Sequence, residues 1–322
     1  MNVRQQVCAI AIFFVMVAGN AFAQTARVEK HLAGKQIKGL TKENKAIHFL
    51  VVGDWGRNGQ GDQQSVSDWM GIAASQLNAK FVISTGDNFY CCGVASVDDP
   101  QWISSFENVY RSHSLQIPWY VSLGNHDYQG NVQAQINYSC KSQRWKMPDR
   151  YYTKVIEGVR FVFIDTTPFI KQYYSTSQYP DLIQQDTTRQ LQWLDSVLSV
   201  SSEKWRIVIG HHPVYSLGEH GTEQDMLLKV KPRLTKYNVP VYFAGHDHSL
   251  QSLKEHGQDV HYLISGGGAE QTQIKIDPAI TRFALESTGF MAVALSANKM
   301  KIYFINKGGQ LIYEEAIAID SN

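Results

Sequence analysis

A surplus of either charge is missing from this 322-residue chain, which carries 30 Lys+Arg against 29 Asp+Glu for a formal net charge of +1. It has no run of consecutive basic residues either, so the electrostatic footprint of a nucleic-acid-binding surface is absent. Cysteine is scarce, four in all, which excludes a small disulfide-held scaffold. Linkers rich in Pro, Ser and Gly are missing, as are internal repeats at periods of roughly 20 to 50 residues, so no solenoid or propeller is indicated. No apolar run reaches the roughly 20 residues that a membrane span requires. What is there is 43% hydrophobic and only 18% charged, a composition that folds. At about 300 residues a fold buries roughly 75% of its unfolded surface, so a large core is available without staples.

The longest apolar run, Val7 to Ala18, follows Arg4 and precedes the small-residue pattern Ala21-Phe22-Ala23. Those are the three parts of an export signal, with cleavage expected before Gln24. Residues 1–23 are therefore read as a signal peptide and 24–322 as a single domain, secreted or periplasmic, with no stable membrane association after cleavage. Cys91, Cys92 and Cys140 remain, an odd number. Either these thiols are idle, or Cys140 pairs with Cys91 or Cys92 in an oxidising compartment.

A recurrence organises the rest. Five times a β-rich apolar run ends in Gly, and the next residue is a metal-ligating type. The runs are Ile47–Val52, Phe81–Thr85, Trp119–Leu123, Trp205–Ile209 and Val241–Ala244; the pairs are Gly53-Asp54, Gly86-Asp87, Gly124-Asn125, Gly210-His211 and Gly245-His246. Continuous Val/Ile/Phe runs read as strands buried on both faces. Helical patterns lie between them at Asp62–Asn78, Gln101–His113, Thr187–Leu198 and Glu223–Tyr237. Strands alternating with helices predict parallel α/β sheet. Beyond Gly257 short strands follow, at Val260–Ile264, Phe290–Leu295, Met300–Ile305 and Gln310–Glu314, and these are expected to pack a second sheet on the first. The predicted architecture is two packed mixed β-sheets flanked by helices.

Ligands of open α/β sheets gather at the carboxyl ends of the strands, where all five pairs fall. With their neighbours they give seven candidate ligands: Asp54, Asp87, Tyr90, Asn125, His211, His246 and His248. Seven donors exceed what one small cation accepts, so two metals fit better than one. Carboxylate, phenolate, amide oxygen and imidazole suit Fe, Zn or Mn, and the lack of thiolate argues against a closed structural zinc site. One bridging carboxylate would hold the two ions ~3.5–4 Å apart, the spacing of two-metal hydrolases. A phenolate is a hard anionic donor that favours trivalent iron. Tyr90 follows Asp87 by three residues, so one loop can bring both into a single pocket.

The blocks GDWG (53–56), GDNFY (86–90), GNHD (124–127), GHHP (210–213) and GHDH (245–248) resemble those of the metallophosphoesterases. More narrowly, they are similar to the purple acid phosphatases of the small, tartrate-resistant animal type, from about His48 to Tyr313. The resemblance implies Asp54, Tyr90 and His248 on a ferric ion, Asp87 bridging, and Asn125, His211 and His246 on a divalent Fe, Zn or Mn. It also implies that His126 and His220 contact phosphate and assist the leaving group. From the sequence, Asp127 is placed to fix the tautomer of His126, while His212 is assigned a structural role beside a ligand. Two departures stand out. Animal relatives have no Cys91-Cys92 pair, and they carry a differently composed loop where this chain has 166–188 with Tyr173, Tyr174 and Tyr179.

The expected function is a secreted acid phosphatase that hydrolyses small phosphate monoesters by attack of a metal-bound hydroxide at an Fe(III)–M(II) pair. The anionic donors leave such a pair net positive, which suits a phosphate dianion. The alternative is a Mn- or Zn-dependent phosphodiesterase or nucleotidase of the same fold.

Overall fold

A computed structural model describes residues 34–319. The expected signal peptide at 1–23 lies outside the described residues. Ile47–Val52 (β1), Phe81–Ser84 (β2), Trp119–Val121 (β3) and Trp145–Lys146 (β4) run parallel, each paired with the next. A second sheet contains Tyr152–Ile156 (β5), Val159–Phe163 (β6), Arg206–Ile209 (β7), Val241–Ala244 (β8), Leu250–Leu253 (β9), His261–Ser265 (β10) and Thr281–Leu285 (β11). There β6, β7, β8 and β10 are parallel, while β5, β9 and β11 pair antiparallel at the margins.

The C-terminal strands depart from the prediction. Gly289–Leu295 (β12), Lys299–Asn306 (β13) and Leu311–Ala318 (β14) do not form the second sheet. They extend the first, in the order β14-β13-β12-β1-β2-β3-β4, with β12 antiparallel to β1. The second sheet has the order β11-β9-β10-β8-β7-β6-β5. Both sheets are therefore mixed and seven-stranded, as the predicted class requires. The sequence reveals period and burial but not the partner, and β12 is buried at all seven positions, so either sheet would have suited it.

Phenylalanines join the sheets. Phe49 on β1 stacks on Phe81 of β2 at 4.9 Å, and meets Phe161 of β6 and Phe243 of β8 edge-on at 5.6 and 6.4 Å. Edge-to-face pairs add roughly 0.5–1.5 kcal/mol beyond burial. Helix Gln63–Leu77 packs Val66, Met70, Ala73 and Leu77 on the first sheet. Helix Thr187–Val200, capped by the Asp186 side chain on the Arg189 N–H, buries Leu194 and Leu198 with Val162 and Val208 of the second.

Two predicted helices are altered. Over 101–113 only a π-helical turn, Trp102–Glu107, and a 3₁₀ turn, His113–Leu115, form. Trp102 stacks on Tyr138 at 3.5 Å and Phe106 meets Trp119 and Trp145, so aromatic packing overrides the α-helical register. The Glu223–Tyr237 pattern breaks at Val230 into Gln224–Lys229 and Lys231–Lys236. Pro232 lacks an N–H and suits only the first turn of the second piece.

Candidate metal centre

The strands carrying the Gly-plus-ligand pairs come from both sheets, β1, β2 and β3 from the first and β7 and β8 from the second. Directly after their glycines, Asp54, Asp87 and His246 adopt positive φ of 60°, 50° and 71°. Non-glycine residues rarely hold that conformation, and such strain is retained where function needs it. The carboxylates are fastened by backbone amides. The His246 N–H donates to both oxygens of Asp54, at 3.1 and 3.0 Å, and the His126 N–H donates to Asp87 Oδ1 at 2.8 Å.

The seven predicted donors converge in two groups that share Asp87. In the first, Tyr90 Oη lies 3.0 Å from Asp54 Oδ1, 2.9 Å from Asp87 Oδ2 and 3.0 Å from His248 Nε2. In the second, His211 Nε2 lies 3.1 Å from Asn125 Oδ1, 3.2 Å from His246 Nδ1 and 3.5 Å from Asp87 Oδ1. Donors ~2.1 Å from one ion and at right angles stand ~3 Å apart, so each group has the spacing of a coordination shell. His211 Nδ1 faces the Thr85 carbonyl at 3.0 Å; a carbonyl only accepts, so this nitrogen donates and Nε2 points into the site.

Electrostatics also fits a cation. Burial pushes the Asp54 carboxyl up, and the Asp87 charge adds to it. Burial and the same two carboxylates push the Tyr90 phenol up. Burial opposes the charge of Asp87 too, but His211 and His126 hold it below the usual carboxylate range. His211 reaches about 9 although burial opposes its charge, because Asp87 and Asp54 face it. Burial lowers His246, and lowers His248 to about 4, which leaves both imidazoles neutral with a lone pair to give. Buried acids that hold their protons this firmly are the groups a multivalent ion discharges on binding. The residues present fit a pair of metal ions.

His126 and His220 lie beside these groups. The ring of His126 is 4.5 Å from that of Tyr90, and its Nε2 is 3.9 Å from Asp87 Oδ2. Asp127 does not hold it. That carboxylate accepts from Gly124, from the Asn88 backbone and side chain, and from Gln135, bracing the two turns; burial raises it to about 6. The partner of His126 Nδ1 is the Cys91 carbonyl. His220 is exposed, with its ring stacked on His246 at 4.1 Å and its backbone N–H donating to Asp247 Oδ1 at 2.9 Å. His212 joins His211 and His246 in a tight group, but both its nitrogens are engaged, by Thr166 Oγ1 at 2.8 Å and Tyr173 Oη at 2.9 Å. Those two partners hold the ring in place beside the candidate ligand His211.

Neither alternative for the three thiols holds. Cys91 and Cys92 bond to each other, and Cys140 is free and exposed. The turn after Tyr90 brings the two adjacent sulfurs together.

Sequence reasoning misses further residues here. The Arg57 guanidinium sits 4.0 Å over the Tyr90 ring and pairs with Glu270 at 2.8 Å. Tyr173 and Tyr179 of the 166–188 loop pack at 4.6 Å, and the Tyr179 hydroxyl reaches the Gln129 and Asn125 side chains. A lone arginine after GDWG and a loop tyrosine carry no signal of their own in sequence.

Residues 47–250 match the family model of calcineurin-like phosphoesterases. Purple acid phosphatase 7 of Arabidopsis thaliana is 33% identical over 320 residues, covering 96% of this chain and 94% of that protein. Tartrate-resistant acid phosphatase type 5 of Homo sapiens is 32% identical, covering 84% and 90%. Among solved structures, the purple acid phosphatase PPD1 of yellow lupin shares the fold at a TM-score of 0.65 and 16% identity, over 87% of this chain and 55% of that one. The fold also recurs in GAP50, the anchor in the inner membrane complex of Plasmodium, at a TM-score of 0.74 and 24% identity, over 87% and 90%. With those relatives spanning nearly its whole length, the chain belongs to the purple acid phosphatase family of calcineurin-like phosphoesterases.

Proposed function

We propose that this protein is an acid phosphatase for small phosphate monoesters, built as one domain over 24–322 and exported to the periplasm or the medium. Asp54, Tyr90 and His248 would hold a ferric ion, Asn125, His211 and His246 would hold a divalent Fe, Zn or Mn, and Asp87 would be shared between them. The observation that carries the reading is the pair of donor groups sharing Asp87, one oxygen turned to each. The export half rests on the composition of residues 4–23.

The bound ions supply Lewis acidity and a low-pKa water. The protein's own groups do the rest. His126 is half-buried beside Tyr90 and Asp87, its Nδ1–H given to the Cys91 carbonyl and its Nε2 placed beside Asp87 to contact the phosphoryl group. His220, exposed on the face of His246, is placed to carry a proton to the leaving oxygen. Arg57 holds positive charge against the Tyr90 ring, favouring the phenolate form.

The test is an absorption spectrum with metal analysis, together with rates on p-nitrophenyl phosphate and its bis ester. We expect a visible charge-transfer band that Tyr90→Phe abolishes with iron still bound, and preference for the monoester. A colourless, iron-free and fully active protein, or one that prefers the diester, moves the reading to a Mn or Zn phosphodiesterase or nucleotidase.

A further inference from the structure

The pair Cys91–Cys92 lies between two residues of the proposed site. Tyr90 precedes it as a ligand, and the Cys91 carbonyl accepts the hydrogen bond of His126 Nδ1. The flanking chain is fixed on both sides, by Tyr90 N–H to the Gly56 carbonyl at 2.8 Å and by Asn131 N–H to the Val94 carbonyl at 2.8 Å. A Cβ on Gly130 would stand 2.7 Å from the Cys92 carbonyl, so the chain after the bridge is packed tightly on the GNHD turn. Between these fixed points, the covalent ring joining the two side chains restrains the peptide that presents the Cys91 carbonyl. Both cysteines are exposed, so a dithiol can reach the bond.

We propose that the Cys91–Cys92 bridge is the positioning device for His126, and that thiol–disulfide exchange at this pair sets the turnover of the site. The inference rests on the phosphatase reading and adds a control to it. A dithiol reductant supplies the two electrons. Its first thiolate attacks one cysteine sulfur to give a mixed disulfide, and its second sulfur then displaces that cysteine. The reductant leaves as a cyclic disulfide, and Cys91 and Cys92 each gain a hydrogen. Once the ring opens, its restraint on the Cys91 peptide is gone, and with it the fixed acceptor that sets the Nδ1–H tautomer and ring direction of His126. Cys91 is thus a positioning residue acting through His126.

The experiment uses the metal-loaded full chain, treated with a dithiol, desalted, and checked for metal content and for alkylation at Cys91 and Cys92. On glycerol phosphate we expect kcat to fall roughly tenfold with little change in KM, within the range that small misplacements produce. Reoxidation should restore it. Cys91→Ser with Cys92→Ser should sit at the reduced level and ignore the dithiol, which separates the bridge from any effect of thiols on the metals. His126→Ala should also ignore it, because the group through which the bridge acts is gone. Unchanged turnover with both cysteines alkylated and metals retained overturns the inference, as does an equal loss in His126→Ala. A metal-loaded, oxidised protein that hydrolyses no phosphomonoester is a different result: it rejects the phosphatase reading, and this inference with it.

Discussion

Asp54, Asp87 and His246 hold a conformation that most side chains avoid, and each does so one residue after a glycine. Turning the chain there aims a donor back over the strand end, an arrangement retained for the site and not for the fold. Among single side chains, the role of His220 is the most directly measurable. An alkoxide needs a proton to leave, whereas p-nitrophenolate leaves without much help. General acid catalysis is worth about 10²–10⁴-fold, so His220→Ala should slow glycerol phosphate by that order and p-nitrophenyl phosphate far less. Equal losses in kcat on the two substrates would reduce His220 to a positioning residue. Away from the centre, Asp165 is buried and raised to about 7, burial outweighing its hydrogen bond from Tyr128 and the charge of Arg150. The unfolded carboxyl ionises near pH ~4, so between about pH 4 and 7 the folded chain keeps a proton that the unfolded chain releases. Its contribution is full below that window and is lost as pH rises through about 7. Asp165→Asn cannot ionise, so its Tm relative to wild type should climb between about pH 4 and 7, wild type losing ~1.4 kcal/mol for each pH unit crossed. A constant Tm difference across that range would show that the group does not titrate as assigned.

At the scale of elements, the strand-end turns are interlocked by close approach. A Cβ on Gly124 would stand 2.1 Å from Asp87 Oδ1 and 2.4 Å from the Asp87 nitrogen, so no side chain fits while the Asp87 carboxylate keeps its place. Gly124→Ala should therefore displace Asp87, reduce bound metal at both positions and cost about 1–3 kcal/mol of stability, as overpacking does. Metal analysis alongside thermal unfolding reads both effects, and full metal content at the wild-type Tm would contradict the shared-carboxylate arrangement. Elements are legible in sequence where burial alone defines them. The strands β1, β2, β7 and β8 fall within a residue of their apolar runs because they are buried along nearly their whole length. The hairpin of β5 and β6 escapes a sequence reading, since β5 buries only Tyr152 and leaves Lys154 and Val155 exposed, so it presents no apolar run. The turn at Trp102–Glu107 reads as a longer helix because its departure from α register comes from rings distant in sequence.

Across the whole molecule the centre joins the sheets. Asp54, Asp87 and Asn125 come from the ends of β1, β2 and β3, while His211 and His246 come from the ends of β7 and β8. Each candidate donor group draws on both sheets, so ions bound there would act as cross-links that the unfolded chain cannot form. A ligand confined to the folded state stabilises it by about 2.7 kcal/mol at a hundred times its Kd. Chelation should thus lower Tm, with recovery graded by the concentration of Zn or Fe returned. A Tm indifferent to chelation would mean that the ions do not link the two sheets.

The sequence by itself determined the strand-end blocks, the seven candidate donors and the α/β class, because each is local. A buried strand needs continuous apolar residues, and a ligand at its end needs a turn and a donor type. Only the tertiary structure decided which sheet receives β12 to β14, which oxygen of Asp87 faces which donors, and that the Cys91 carbonyl and not Asp127 holds His126. It also decided that Arg57 covers Tyr90. These are contacts between segments far apart in the chain or choices among equally apolar partners, set by packing the whole core at once, and no local pattern of residues encodes them.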